Sequence, residues 1–484
     1  MEKIGIIGAG IAGLASAVRM AVKGYDVTVF EANSYPGGKL SEFTFNGYRF
    51  DAGPSLFTMP HYVDELFTLA GKNPKDYFNY QKLEVVCHYF WEDGTRIHAH
   101  ADEHLFAQEV EEKLKVPGER LLHSLQDSRN KYEKTGKIFL ENSLHKARTW
   151  LKPSVAKAML NIPRFDLFTT MNKVNQKYAG DRKLTQLLNR FATYNGSNPY
   201  KAPGLLTIIP HFEHHIGAFY PKGGMVAITN AIYNLALSLG VKFYFEKSVE
   251  KITINDDKAV GLVSNGQSFE FDRIISNMDV FFTYQKLIPK KYHPELILKQ
   301  EKSTSALIFY WGVKKTFPEL NLHNILFSED YENEFDHLAK GKVSEDPTVY
   351  INITSKYSPE DAPEGCENWF TMVNVPYNSG QDWDDIIRHT RKNVIGKINK
   401  ILGVNMEELL EGEDILEPRT IESKTSSHLG ALYGTSSNNK MAAFLRHPNF
   451  SNKIKNLYFC GGSAHPGGGI PLCLSSAKIV EECI

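Results

Sequence analysis

Cysteine is scarce. The chain holds five in 484 residues, at Cys87, Cys366, Cys460, Cys473 and Cys483. They are scattered, odd in number, and show no C-x-x-C or Cys/His ligand spacing. A disulfide framework and a zinc site are thereby excluded, no metal is expected, and a reducing intracellular compartment is favoured. Long apolar runs are also lacking: none reaches the roughly 18 residues that suggest a membrane-spanning helix. Attachment to a membrane surface needs only an apolar patch and stays open. Charge of one sign is missing too. The formal net charge is -1, so no basic surplus draws the protein to nucleic acid. Internal repeats and low-complexity tracts are absent. The first strand is expected from Lys3, which leaves no room for a cleaved leader, and the expected location is cytoplasmic.

Apolar residues make up 42% of the chain and aromatics 12%. That composition suits large buried cores, and the length suggests two or three domains. Lys3 to Ile7 reads as a short buried strand. Gly8, Gly10 and Gly13 then form G-x-G-x-x-G, with Ala12 inside the turn. A helix follows, with apolar residues at Leu14, Ala17, Val18 and Ala21. Gly24 ends it, Tyr25 to Phe30 is a second strand, and Glu31 closes that strand. Gly8 permits the tight turn, Gly10 lets backbone approach a pyrophosphate, and Gly13 lets the helix lie close to the strand. The helix N-terminus offers N–H groups to phosphate, and Glu31 can accept hydrogen bonds from a ribose diol. This order defines a dinucleotide site and leaves NAD and FAD open.

Further segments fit around it. Pro36-Gly37-Gly38-Lys39 makes a sharp turn and sets the Lys39 charge near the cofactor. Phe43, Phe45, Tyr48 and Phe50 predict a hairpin about Asn46-Gly47. It leads into a loop through Gly53, Pro54, Ser55 and Leu56 that can present backbone N–H groups to a ligand. Val85 to Trp91 and Arg96 to Ala99 read as paired strands. Ala101 to Asn189 is mostly helical by its spacing. Met159, Leu160, Ile162, Phe165, Leu167 and Phe168 form its densest apolar cluster, either core or a coat for a lipophilic cavity or membrane face. Three β-prone stretches, Ser305–Val313, Thr348–Ile353 and Trp369–Val375, suggest an antiparallel sheet able to face a large ligand. Trp383 to Leu402 reads as a helix. Near the end, Leu457 to Gly462 is a strand entering a glycine loop, and His465-Pro466-Gly467-Gly468-Gly469-Ile470-Pro471 leads into a last helix.

The N-terminal unit, Pro36 to Lys39 and Phe50 to Ser55 resemble the superfamily of FAD-dependent amine oxidases and phytoene desaturases. The stretch Gly461 to Pro471 resembles the C-terminal signature of bacterial-type carotenoid desaturases, and looks closer to the 1-hydroxycarotenoid 3,4-desaturase branch than to the phytoene desaturase branch. The resemblance implies FAD as cofactor. It places Val249 against the adenine, Asn277 by the cofactor loop, and Leu432 in a loop near the flavin ring. It sets Gly461, Gly462, Gly469, Ile470 and Pro471 at the ring itself.

The expected architecture is α/β: a Rossmann-type FAD-binding domain from residues 1–76, 221–295 and 452–484. Residues 77–220 and 296–451 would form an α+β substrate domain with a helical, membrane-associated insert. The implied activity introduces C=C bonds into an acyclic carotenoid by hydride transfer to flavin, most specifically by 3,4-desaturation of a 1-hydroxycarotenoid. The implied partners are a carotenoid, a membrane surface approached peripherally and an unidentified electron acceptor. Phytoene desaturation and carotenoid isomerisation are alternatives within the family. A flavin amine oxidase and a non-catalytic carotenoid carrier are alternatives outside it. The proton acceptor is not evident; the polar cluster His211, Glu213, His214 and His215 supplies the candidates.

Overall fold

A computed structural model describes residues 1–153, 155, 165–439 and 445–484. Met159, Leu160 and Ile162 of the apolar cluster lie outside the described residues. Phe165 is buried, whereas Phe168 is exposed.

The glycine-rich turn begins a five-stranded parallel sheet. Its strands run in the order Lys242–Tyr244, Asp26–Phe30, Lys3–Ile7, Arg273–Ser276 and Leu457–Phe459. They come from three separated stretches of the chain. Ile4 and Ile6 are fully buried, as are Val29 and Ile275, because helices cover that face of the sheet, while a three-stranded antiparallel sheet, Val249–Asn255, Lys258–Ser264 and Gln267–Glu270, packs on the other. The helix Ile11–Val22 packs against both Val226–Ser238 and the last helix, Ile470–Cys483. Small residues on its surface, Ala12, Ala15 and Ala17 among them, are fully buried and permit this close approach.

A second sheet has seven strands, ordered Leu410–Leu416, Ser305–Val313, Glu367–Val375, Val349–Ile353, His323–Leu326, Val85–Phe90 and Arg96–His100. The three stretches read as β-prone pair antiparallel at its centre. The two N-terminal strands join it through one parallel pairing, Asn324 opposite His88. Trp311, Trp369 and Trp383 are fully buried beneath one face. The helix Trp383–Leu402 is capped by Asp382, whose side chain accepts from the Asp385 N–H.

The helices Glu103–Leu114, Glu119–Lys131, Met171–Ala179 and Arg182–Asn189 pack on one another, and the first of them packs on the edge strand Arg96–His100. Two five-residue π-helical turns interrupt this region, Tyr132–Gly136 and Phe212–Ile216. Among the described residues, no helix is long and apolar enough to cross a membrane.

Candidate active site

The glycine turn is held by backbone contacts that admit no side chain. The Gly8 N–H donates to the Phe30 carbonyl at 2.8 Å and the Leu14 N–H to Gly10 at 2.9 Å. No side chain caps the helix that begins at Ile11, so its first N–H groups remain for a ligand. The Glu31 carboxylate accepts from the Ala9 N–H at 2.7 Å and from the Asn33 N–H at 2.9 Å. Oε1 also accepts from the Asn33 side-chain amide at 3.0 Å, so the spare lone pair of this cavity-lining carboxylate is on Oε2. The Asn277 amide lies over the loop, donating to the Gly8 carbonyl at 3.4 Å. The Gly37 N–H donates to the Ala9 carbonyl at 2.8 Å, so the Pro-Gly-Gly turn is fastened to the glycine loop.

The C-terminal segment meets this loop from the other side. The Gly461 N–H donates to the Ser476 hydroxyl at 3.2 Å, and that hydroxyl donates to the His465 carbonyl at 2.9 Å. A Cβ on Gly461 would stand 2.8 Å from Asn277 Oδ1. The last helix starts at Ile470 without a side-chain cap, and a Cβ on Gly469 would meet no atom within 4 Å. Its N-terminus is thus open toward the cavity, where its dipole favours negative charge. The Lys39 ammonium donates to the Leu432 carbonyl at 3.1 Å. Burial pulls its pKa down against the opposing charge of Asp279.

One cavity of about 1020 Å³ joins these parts. Gly8, Gly10, Ala12, Glu31, Lys39, Ser55, Leu56 and Val249 line it, as do Asn277, Leu432, Gly461, Gly462, Gly469, Ile470 and Pro471. Gly13 lies behind the turn, packed against the Gly8 carbonyl. Beyond Leu56 the wall becomes apolar, with Val86, Leu206, Ile208, Ile325, Phe370 and Met372. This volume lies at the upper end of ligand pockets.

The polar cluster near position 211 divides. Glu213 reaches the cavity; His211, His214 and His215 are not among its lining residues. The ring of His211 stacks on Tyr132, that of His214 on Phe106, and His215 lies 3.0 Å from Glu103. Glu213 is buried and paired with Arg190 at 2.5 Å, and it accepts the Tyr194 hydroxyl. Burial raises its pKa, but the Arg190 charge, the neighbouring His214 and the hydrogen bonds from Tyr194 and Arg190 together hold the carboxyl below its ordinary value. Sequence reasoning missed Arg190, Tyr194, His323 and Tyr350, which share this part of the wall. A signal for the first existed: Arg190 stands between Leu188 and Phe191 and needs a buried acid.

Buried histidines give the fold an acid sensitivity. Burial lowers His214, His323 and His447 from 6.5 to about 4. Between those values the unfolded chain binds more protons than the folded one, so stability present above pH 6.5 is lost as pH falls toward 4. Thermal melts at pH 7.5, 6 and 5 are expected to show a falling midpoint. A constant midpoint would mean that the rings are hydrated in the fold.

The fold and cavity define a flavin oxidoreductase. The chain belongs to the flavin-containing amine oxidoreductase family, whose model matches residues 11–480. Within it the chain is a member of the carotenoid desaturases. It is 52% identical over 485 residues to a 1-hydroxycarotenoid 3,4-desaturase of Flavobacterium sp. (strain P99-3), covering 100% of this chain and 99% of that one. It is 32% identical over 507 residues to a phytoene desaturase of Fusarium fujikuroi, covering 99% and 88%. Among solved structures, an oxidoreductase from Methanosarcina mazei shares the fold at a TM-score of 0.64 and 14% identity, covering 99% and 100%.

Proposed function

We propose that the protein is an FAD-dependent desaturase that introduces the 3,4 double bond into an acyclic 1-hydroxycarotenoid. The observation that carries this reading is the single cavity: it runs from two uncapped helix N-termini and Glu31 into an apolar chamber. Residues 1–76, 221–295 and 452–484 form the FAD domain, and 77–220 with 296–451 the substrate domain. FAD fits the donor set. The N–H groups after Gly10 would hold the pyrophosphate, Glu31 the ribose, Val249 the adenine, and the segment from Gly461 to Pro471 the ring.

Bound flavin supplies the two-electron acceptor for a hydride leaving an allylic CH2. The polyene cation left behind makes the neighbouring C–H strongly acidic, so a weak base is enough. Glu213, held ionised by Arg190, receives that proton. The apolar walls hold the chain in register and exclude water from the cation. The substrate is collected from a bilayer, with exposed Leu151 and Phe168 in the helical region as contacts. A carrier in the cytoplasm or membrane takes the electrons afterwards.

The test is anaerobic incubation of flavin-loaded protein with a 1-hydroxycarotenoid in liposomes. Bleaching of the flavin with a product two hydrogens lighter is expected. Unchanged product mass would mean isomerisation, and unchanged flavin would mean a carrier. Glu213→Gln is expected to lower kcat by about 100-fold or more, within the range of general-base loss. Apolar replacements of His211, His214 and His215 should leave kcat within about three-fold, below 1 kcal/mol. Equal turnover by all four variants would remove Glu213 from the reaction.

A further inference from the structure

Arg446 is buried and lines the cavity. Its Nη1 donates to the Tyr433 carbonyl at 3.1 Å, and its Nη2 to the Thr435 carbonyl at 2.8 Å and the Ser437 hydroxyl at 3.3 Å. A guanidinium has five N–H groups, so Nε–H and one Nη1–H are left over. Nε makes no hydrogen bond but is not enclosed, so this edge opens on the cavity wall. The guanidinium lies against the closing loop, where a Cβ on Gly467 would stand 3.1 Å from Cζ. Lys39 reaches the same place from the cofactor turn. It donates to the Leu432 carbonyl, one residue before the carbonyl that Arg446 holds. The loop 432–434 packs in turn on the closing loop: a Cβ on Gly468 would stand 2.8 Å from Tyr433 Cα.

The charges here do not balance within the chain. Three arginines are buried among the described residues. Arg19 faces Glu65 and Glu481, and Arg190 faces Glu213. Arg446 faces only the Cys473 thiol, and positions 154, 156–164 and 440–444, outside the described residues, hold no Asp or Glu. Burial pushes that thiol up to about 11, so it stays neutral. Burial lowers Arg446 from 12.5 to about 10, which leaves it charged at neutral pH. Asp279 is the acid beside Lys39, and it is shared with Lys302. A buried charge without an opposite is strongly destabilising. Its counter-charge comes from outside the chain.

We propose that Arg446, with Lys39 and the N-terminus of the helix Ile470–Cys483, supplies the positive charge that stabilises the reduced, anionic form of the flavin ring and so raises its reduction potential. This rests on the flavin reading, with the ring at Gly461 to Pro471. The proposed substrate carries no charge, and the pyrophosphate is assigned to the turn at Gly10. The ring is then the anion at this end of the cavity. A hydride brings two electrons and one proton, so the ring gains a full negative charge as the polyene gains a positive one. A cation fixed beforehand favours that separation without rearranging at the moment of transfer. The carbonyl bonds of Arg446 hold its charge in place, but a neutral amide would serve those carbonyls; the charge itself answers to the ring.

The experiment measures the reduction potential of FAD bound to the full chain, against a reference dye without oxygen, beside the Kd of oxidised FAD. The parent potential should lie above that of free FAD measured alongside. Arg446→Met should weaken reduced FAD relative to oxidised FAD by about 10- to 100-fold, the effect of one unit charge a few ångströms away inside a protein. For a two-electron couple this lowers the potential by about 30 to 60 mV. Arg446→Gln keeps a neutral donor for the loop carbonyls and should fall as far. Arg446→Lys keeps the charge and should stay within about three-fold, or about 15 mV. A parent that holds no FAD overturns the flavin reading. A parent that holds FAD at or below the free potential overturns the role of Arg446, whether or not the variants fold. So does a Met or Gln variant at the parent potential, including one that loses both forms of FAD alike, because the guanidinium would then only tie the loop.

Discussion

Gly13→Ala yields a protein that purifies without flavin and turns over at about a thousandth of the parent rate or less, equivalent to about 4 kcal/mol. The new Cβ would stand 2.1 Å from the Gly8 carbonyl oxygen and 3.2 Å from Asn277 Cβ. The first neighbour is backbone, and it belongs to a turn already fixed by hydrogen bonds from Gly8 to Phe30 and from Leu14 to Gly10. Relief requires the helix to move off the strand. That movement withdraws the uncapped N–H groups from the pyrophosphate and separates Asn277 from the loop it covers. Gly24→Ala is the control. Its φ is +87° with nothing within 4 Å, so alanine there costs about 1–2 kcal/mol of backbone strain and should leave flavin bound. The check is the ratio of flavin to protein absorbance after purification. Stoichiometric flavin in Gly13→Ala would mean that the turn opens without cost to the site.

Arg190→Leu destabilises the protein by about 3–5 kcal/mol in urea unfolding, because it leaves the Glu213 charge buried and alone. Arg190 is 5% exposed and Glu213 1%. The guanidinium also donates to the Tyr194 hydroxyl at 2.9 Å and to that of Tyr89. Its flat face lies over Phe191, 4.2 Å from the ring centre. Glu213→Leu alone should cost a similar amount through the orphaned guanidinium. The double variant Arg190→Leu with Glu213→Leu removes both charges and should recover most of the loss, since an apolar pair of similar volume is often neutral or better. It should nevertheless turn over no substrate. A stable, active double variant would show that neither charge takes part in the reaction. An unstable one would show that the tyrosine hydroxyls, left without the guanidinium, dominate the energetics.

The elements around the glycine turn were legible in the sequence because their signals lie in consecutive residues. Lys3–Ile7 and the helix after Gly10 follow from an Ile run and a glycine spacing, and the hairpin about Asn46-Gly47 pairs Phe45 with Tyr48 as expected. The helix Trp383–Leu402 falls where its periodicity places it. Short or edge elements were not legible. Leu410–Leu416 carries Glu411, Glu413 and Asp414, polar for a strand, and lies at a sheet edge. Phe57–Thr58 and Tyr80–Lys82 are too short for any period, and exist because both pair with Ala218–Pro221. The substrate wall escaped for a related reason. Arg190, Glu213, His323 and Tyr350 come from four separated segments and meet only through tertiary packing. The cluster at 211–215 looked like one polar site; the π-helical turn Phe212–Ile216 directs Glu213 inward and its histidine neighbours elsewhere.

The order of strands in the parallel sheet bears on how the protein is made. The strand Leu457–Phe459 is last in the chain, yet it lies beside Arg273–Ser276 and carries the loop that closes on Asn277. While the ribosome is still producing the preceding residues, the glycine turn can form, but the loop from Gly461 that closes on Asn277 does not yet exist. Prematurely terminated chains lacking this strand would expose one edge of the sheet and hold no complete flavin site. On the proposed reading, a nascent chain can hold flavin fully only after this strand has been made. Long-range parallel pairing is also slow to form, so flavin supply during expression should govern yield more strongly than growth temperature does.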